Sequence, residues 1–129
     1  MNLKPHHVGL VVSDLERSTA FYHALGFTTA SDLPVDDGSR AIRFISLGGF
    51  QLELFWYAET PAAPPHAEGK QIGFRHFALQ TDDVEAVLDE LRAKGLVGAE
   101  AAVRHVPAGY KLLFINDPDG VEIEIMQEA

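Results

Sequence analysis

Short apolar runs along the chain predict β-strands, and two stretches with apolar residues three to four positions apart predict amphipathic helices. In the first half these elements follow the order βαβββ, with strands at residues 5–12, 27–33, 40–47 and 50–57 and a helix at 15–25. Ser13 or Asp14 is expected to cap the helix and Gly26 to end it. The residues expected to form its buried stripe are Leu15, Ala20, Phe21 and Leu25.

The second half restarts the same pattern after a linker. Residues 58–71 carry three prolines and no apolar periodicity, which is typical of a linker. A strand at 73–81 then leads into a helix that Asp82 or Asp83 caps and Gly95 ends, and strands follow near 97–104, 110–116 and 120–127. The predicted fold class is therefore α+β, with two βαβββ modules at 1–57 and 72–129 forming one domain.

The two modules also repeat particular residues in register. Three pairs are 69 positions apart: His7 and His76, Asp14 and Asp83, and Gly26 and Gly95. Two later pairs are 71 positions apart: Gly49 and Gly120, and Glu53 and Glu124. This spacing indicates two copies of one supersecondary unit.

Strand alternation places one imidazole and one carboxylate of each module on the sheet face that the helix does not cover. These residues are His7, Glu53, His76 and Glu124. If the mixed sheets curl, the four side chains line one cleft, where unpaired carboxylates are costly to bury. A divalent cation would remove that cost, and nitrogen and oxygen donors without sulfur suit Ni, Zn, Mn, Co or Fe(II).

A single histidine or glutamate on a strand is more often a surface residue than a ligand, so the hypothesis depends on the repeat. His6 and Glu122 are neighbouring alternatives, but they align with Arg75 and Gln51 and the repeat therefore favours the first set. The histidines without a repeat partner, which are expected at the surface, are His23, His66 and His105. Asp117 and Asp119 are expected to form a turn.

Composition narrows the classes of function. The net charge of −9 disfavours nucleic acid as a partner, and the absence of cysteine excludes disulfides and thiolate chemistry. Apolar runs are too short to cross a membrane, and the N-terminal residues do not resemble a signal peptide, so a cytoplasmic protein is expected.

Taken together, these motifs resemble the vicinal oxygen chelate superfamily, and especially glyoxalase I. The resemblance rests on the four candidate ligands, on Ala-Phe-Tyr…Leu-Gly-Phe at 20–27, and on Asn-Asp-Pro-Asp-Gly at 116–120. It implies that His7, Glu53, His76 and Glu124 bind a divalent metal, commonly in a homodimer, with each site built either within one chain or from both chains. It also implies a lyase or isomerase that forms an enediolate of a small substrate, with Glu124 as the first candidate for the base and Glu53 as the second.

One departure from that family concerns glutathione. The arginine and asparagine with which glyoxalase I binds glutathione are replaced here by Val11 and Tyr57. The cations that could substitute are Arg40, Arg43, Arg104 and Lys111.

Two other kinds of function remain open: another enzyme of this superfamily, either an epimerase or an Fe(II) dioxygenase, and a metal-free binding protein. His7, His76 and Glu124 alone would suit an Fe(II) dioxygenase, although such chains are usually longer, and the related epimerases have glutamine at the position of Glu53. A metal-free protein of the bleomycin-resistance type would instead sequester a drug in an aromatic cleft, for which the candidates are Phe44, Phe55 and Tyr57.

Overall fold

The computed structural model describes residues 1–33, 37–61, 70 and 72–129. The chain divides into two compact units, Met1–Ala63 and Pro64–Ala129. Most of the predicted linker, together with His66, lies outside the described residues.

Each unit is a four-stranded mixed sheet with one α-helix. The elements of the first unit are β1 (Val8–Val11), α1 (Leu15–Ala24), β2 (Thr28–Leu33), β3 (Arg40–Leu47) and β4 (Phe50–Tyr57). The strand order is β1-β4-β3-β2, in which β1 runs parallel to β4 and the other neighbours are antiparallel.

The second unit repeats this topology. Its elements are β5 (Phe77–Gln80), α2 (Val84–Ala93), β6 (Arg104–His105), a short 3-10 helix (Pro107–Gly109), β7 (Lys111–Asn116) and β8 (Glu122–Gln127). The strand order is β5-β8-β7-β6, again with one parallel pair, β5 with β8. The prediction of an α+β fold built from two βαβββ units is confirmed.

One predicted strand is largely wrong. Residues 97–104 were expected to form a strand, but β6 contains only Arg104–His105 and pairs with two residues of β7. The corresponding strand of the first unit, β2, pairs with β3 along most of its length. The edge of the second sheet is therefore much shorter than that of the first.

Both helices begin and end as the repeat indicates. Asp14 Oδ1 accepts a hydrogen bond of 3.0 Å from the backbone N–H of Arg17, and Asp83 Oδ1 accepts one of 3.0 Å from that of Ala86. Each bond satisfies a backbone donor that the first helical turn leaves without a partner. Gly26 and Gly95 follow the helices with φ of 107° and 67°, a conformation in which glycine lacks the clash of a Cβ atom.

The apolar core of each unit lies between its helix and its sheet. The buried apolar side chains are Leu10, Val12, Phe21, Tyr22, Phe27, Ile42, Ile45, Leu52 and Leu54 in the first unit, and Phe77, Val84, Leu88, Leu91, Leu113, Ile115, Ile123 and Ile125 in the second. Within the described ranges, no helix is long and apolar enough to cross a membrane.

The buried face of α1 differs from the predicted stripe. Phe21 is buried as expected, but Ala20 is exposed and Ser18, Thr19 and Tyr22 are buried. Thr19 is tolerated there because its hydroxyl donates to the carbonyl of Leu15 at 2.6 Å, which satisfies the polar group.

Candidate metal centre

The first imidazole–carboxylate pair lies where β1 runs parallel to β4. Glu53 is in the middle of β4, and Gly9 is its register partner on β1. His7 precedes β1 and lies two residues before Gly9, so its side chain shares a face with Glu53. The distance from His7 Nε2 to Glu53 Oε1 is 3.5 Å, and only 14% of the Glu53 side chain is exposed. The first unit therefore brings both of its predicted ligands together.

The second pair occupies the same place in the second unit. Glu124 lies on β8 beside its parallel register partner Ala78, and His76 directly precedes β5. His76 Nε2 lies 2.9 Å from Glu124 Oε2, and 15% of the Glu124 side chain is exposed. This contact is short enough for a direct hydrogen bond between the imidazole and the carboxylate.

Each histidine also packs against a phenylalanine in an edge-to-face arrangement. The ring centroids are 5.3 Å apart for His7 and Phe44, and 5.5 Å apart for His76 and Phe114. Phe44 is the antiparallel register partner of Glu53, and Phe114 is that of Glu124. Phe114 was missed in the sequence, although a repeat offset of 70 from Phe44 points to it.

The donor atoms fit a divalent cation in type and in spacing. Two donors that bind one cation at about 2.1 Å are about 3.0 to 3.4 Å apart for octahedral to tetrahedral angles. The separations of 3.5 Å in the first pair and 2.9 Å in the second are close to this range. In the described part of the chain, no group of three or more histidine, cysteine, aspartate or glutamate side chains could hold a cation. The candidate ligands therefore lie together as two pairs, one in each unit.

The two alternative ligands contact the same histidines at the other ring nitrogen. His6 Nδ1 lies 2.7 Å from His7 Nδ1, and Glu122 Oε1 lies 3.5 Å from His76 Nδ1. Because Nδ1 and Nε2 point away from each other across the ring, a cation bound at Nε2 is out of reach of Glu122. This geometry favours Glu124 over Glu122 as the ligand.

Arg43 and Lys111, two of the four candidates to replace the glutathione-binding residues, form ion pairs with helix residues instead. Arg43 Nε donates to Asp32 Oδ1 at 2.7 Å, and its Nη1 lies 3.1 Å from Glu16 of α1. Hydrogen bonding to Arg43 lowers the pKa of Asp32, and hydrogen bonding to Asp32 raises the pKa of Arg43. Lys111 pairs with Glu85 of α2 at 3.1 Å.

The other two candidates, Arg40 and Arg104, belong to different sheets. Each lies on the face of its own sheet that carries the imidazole–carboxylate pair. Arg40 is exposed and is the register partner of Tyr57. The guanidinium of Arg104 lies 5.5 Å from the centroid of the Phe114 ring, and Phe114 in turn contacts His76. Arg104 is therefore the candidate that a shared aromatic ring connects to a histidine of the site.

A cavity of about 420 Å³ adjoins this arginine in the second unit. It lies between β7 and the segment that was expected to be a strand, and its lining includes Val97, Ala101, Arg104, Phe114 and Asn116. Because β6 is so short, the edge of β7 beyond Leu112 is left without pairing from β6, and the cavity forms there. Its volume is within the range of sites for small ligands.

The remaining predictions concern residues outside the site. His23 and His105 are exposed, as predicted, and His23 Nε2 contacts the Thr29 hydroxyl at 2.9 Å. Asp117 is buried in the turn between β7 and β8, where its Oδ1 accepts from the backbone N–H groups of Asp119 and Val121, each at 2.9 Å. The prediction that Asp117 forms this turn is confirmed.

Comparison with known proteins agrees with the fold and the sequence motifs. The family model of the Glyoxalase/Bleomycin resistance protein/Dioxygenase superfamily matches residues 4–125. The chain belongs to this superfamily.

Its relatives include an uncharacterized protein and two kinds of enzyme. The uncharacterized protein YaeR of Escherichia coli is 32% identical over 126 residues, covering 95% of each chain. The mitochondrial methylmalonyl-CoA epimerase of Homo sapiens is 27% identical over 127 residues, covering 95% of this chain and 72% of the epimerase. A lactoylglutathione lyase of Arabidopsis thaliana is 30% identical over 130 residues, covering 95% of this chain but 44% of the lyase.

A solved structure supports the same assignment. The glyoxalase family protein from Enterococcus faecalis is similar with a TM-score of 0.81 and 28% identity, covering 96% of this chain and 97% of that protein.

Proposed function

We propose that this protein is a metal-dependent lyase or isomerase of the glyoxalase I type, with His7, Glu53, His76 and Glu124 as the ligands of one divalent cation. The observation that carries the proposal is the repetition of one imidazole–carboxylate pair at equivalent strand positions in both units. A mere surface histidine would have no reason to recur with the same carboxylate, the same strand register and the same aromatic neighbour.

The proposed reaction moves a proton between two adjacent carbons of an α-hydroxycarbonyl or thiohemiacetal substrate. The bound cation, of which Ni, Zn, Mn, Co and Fe remain candidates, supplies a Lewis acid for the negative charge that develops on the substrate oxygens. Glu124 accepts the proton from the carbon that bears the hydroxyl group and returns it to the former carbonyl carbon, so that the carboxylate is regenerated. The hydroxyl proton passes to the former carbonyl oxygen, so that the hydroxyl and carbonyl groups of the substrate exchange places. Glu53 is the second candidate for this role.

The surroundings of Glu124 support its assignment as the base. Its cross-strand partner Phe114 also lines the cavity of about 420 Å³, so one side chain connects this carboxylate with the cavity. Only a small part of the Glu124 side chain is exposed, which keeps water away from the site of proton transfer. Arg104 lies at the same cavity and is placed to bind an anionic group of the substrate.

Glutathione is a less favoured part of the substrate. Val11 has no charge with which to bind a carboxylate, and 56% of its surface is exposed. Tyr57 stacks on Phe55 with an interplanar angle of 8°, an arrangement that suits an apolar or aromatic group better than a peptide carboxylate.

An epimerase is the second candidate function. The similarity to methylmalonyl-CoA epimerase covers nearly the whole chain, and epimerisation also requires a base that removes a proton next to a carbonyl. Glu53 counts against this alternative because the epimerases have glutamine at the equivalent position.

The first test of the proposed function is cation binding. Purified protein stripped with chelator should bind Ni²⁺, Co²⁺ or Zn²⁺ in isothermal titration, and His76→Ala should weaken binding about 100-fold or more because it removes a ligand. His23→Ala is the matched control, since His23 is exposed and lies on α1. Equal cation binding by wild type and His76→Ala would leave the drug-sequestering function as the better explanation.

Turnover then separates the two enzyme functions. We expect the cation-loaded wild type to convert the thiohemiacetal of methylglyoxal and a thiol into a 2-hydroxyacyl thioester. An epimerase would instead exchange the α-proton of a methylmalonyl thioester with solvent deuterium. Exchange without methylglyoxal conversion would replace the lyase proposal with the epimerase.

A further inference from the structure

Two buried polar atoms of the second unit face each other without a hydrogen-bond partner. Among the described residues, His76 Nδ1 and Glu122 Oε1 are the buried side-chain atoms left without such a bond. They lie 3.5 Å apart, just beyond the length of a good hydrogen bond. Buried donors and acceptors are almost always paired, so these two atoms are each other's natural partners.

We propose that Glu122 is a positioning residue for His76, which rests on the proposed role of His76 as a ligand. A shift of a few tenths of an ångström would let Glu122 Oε1 accept a hydrogen bond from His76 Nδ1–H. The proton is then held on Nδ1, and the lone pair of Nε2 faces the side of Glu124. A carboxylate that holds a ligating imidazole in this way fixes its tautomer and raises its basicity.

The surrounding contacts restrain both partners. Glu122 and Glu124 are two residues apart on β8, so both carboxylates project from one face of the sheet and the imidazole lies between them. The ring of Phe114 packs edge-to-face against His76 and limits its rotation. Arg75 Nε lies 3.8 Å from Glu122 Oε1, and its positive charge stabilises the carboxylate in this position.

The first unit has no equivalent contact between a carboxylate and Nδ1 of its histidine among the described residues. Gln51 is the equivalent of Glu122 at the repeat offset of 71, but Nδ1 of His7 is contacted by His6 instead, at 2.7 Å. The imidazole of His6 is exposed, whereas the carboxylate of Glu122 is the stronger hydrogen-bond acceptor. The two imidazoles of the proposed centre are therefore oriented by different groups.

The test compares Glu122→Ala with Gln51→Ala, the matched substitution in the first unit. In zinc titrations, Glu122→Ala should weaken Zn²⁺ binding about 10- to 100-fold, the range found when the outer partner of a ligating histidine is removed. Gln51→Ala should change binding less than about 3-fold because Gln51 orients no ligand. Glu122→Gln keeps an acceptor oxygen and should fall between wild type and Glu122→Ala.

A second measurement reads the tautomer without any cation. In ¹⁵N-labelled, metal-free protein, two-bond ¹H–¹⁵N spectra should show a population of His76 with a proton on Nδ1, in wild type and in Gln51→Ala, beside the form that donates from Nε2 to Glu124. In Glu122→Ala the form with a proton on Nδ1 should be lost, and the form that donates from Nε2 to Glu124 should remain. Thermal unfolding of each variant shows whether it has folded, and Glu122→Gln provides the test if the alanine variant has not.

The two proposals fail in different ways. If wild type binds no Zn²⁺ but the tautomer depends on Glu122, the proposed metal centre is wrong, and only the hydrogen bond between Glu122 and His76 stands. If wild type binds Zn²⁺ and Glu122→Ala alters neither affinity nor tautomer, the positioning role is overturned and the metal centre stands.

Discussion

At the scale of single residues, Glu53 and Glu124 are equivalent by repeat but differ in their contacts. Glu124 is held at 2.9 Å from its histidine and lies beside a residue that lines the cavity, whereas Glu53 is 3.5 Å from its histidine. We expect Glu124→Gln to lower kcat about 10²- to 10⁴-fold, the usual contribution of a general base. Glu53→Gln should act mainly through weaker cation binding.

Steady-state kinetics at saturating cation distinguishes these effects. A saturating concentration of cation restores the bound cation that Glu53→Gln holds more weakly. It cannot restore the base that Glu124→Gln removes. A larger loss of kcat in Glu53→Gln than in Glu124→Gln under these conditions would reverse the assignment. Gln51→Ala is a suitable control, because Gln51 has the same strand face as Glu53 but no proposed role.

The sequence identified the residues of each pair because a repeat in register carries positional information. His7 with Glu53, and His76 with Glu124, are in contact as strand alternation predicts. The roles of His6 and Glu122 could not be predicted, because they depend on which nitrogen of each ring faces the neighbouring side chain. That orientation is set by packing against Phe44 and Phe114, which no local pattern specifies.

At the scale of elements, the sequence left two candidates for the cap of α2. The structure selects Asp83, whose carboxylate accepts from the N–H of Ala86, and Asp82 is exposed one residue earlier. We expect Asp83→Ala to lower the free energy of unfolding by about 1 kcal/mol, as the loss of such caps usually does. The matched control Asp82→Ala removes the same charge and should change it by less than about 0.5 kcal/mol.

Urea unfolding monitored by circular dichroism measures both variants. Equal destabilisation by the two substitutions would indicate that charge near the helix N-terminus, rather than the hydrogen bond, provides the stability.

The strand expected at 97–104 shows that the local apolar pattern alone does not predict whether an edge strand forms. Its apolar residues suit a strand, but a strand at the edge of a sheet forms only if its neighbour's backbone is within reach. In the first unit β2 pairs with β3 through five residues, while in the second only Arg104 and His105 of β6 pair with β7. The departure from the repeat coincides with the cavity.

At the scale of the whole molecule, each unit contains the same imidazole–carboxylate pair. A single imidazole and a single carboxylate leave a divalent cation mostly hydrated, and such pairs bind weakly. If the four residues act as one set, the protein should bind one cation per chain. This stoichiometry should not rise when the cation is in excess.

Double variants test whether the two pairs act together. We expect His7→Ala/Glu53→Ala to abolish tight binding of Zn²⁺ completely, and His76→Ala/Glu124→Ala to do the same, because each removes half of one ligand set. Two independent sites would instead leave each double variant with one cation at unchanged affinity, while wild type would bind two. Titration with Zn²⁺ at protein concentrations far above the dissociation constant counts the sites directly. Retention of one tightly bound cation by either double variant would therefore replace the single centre with two separate ones.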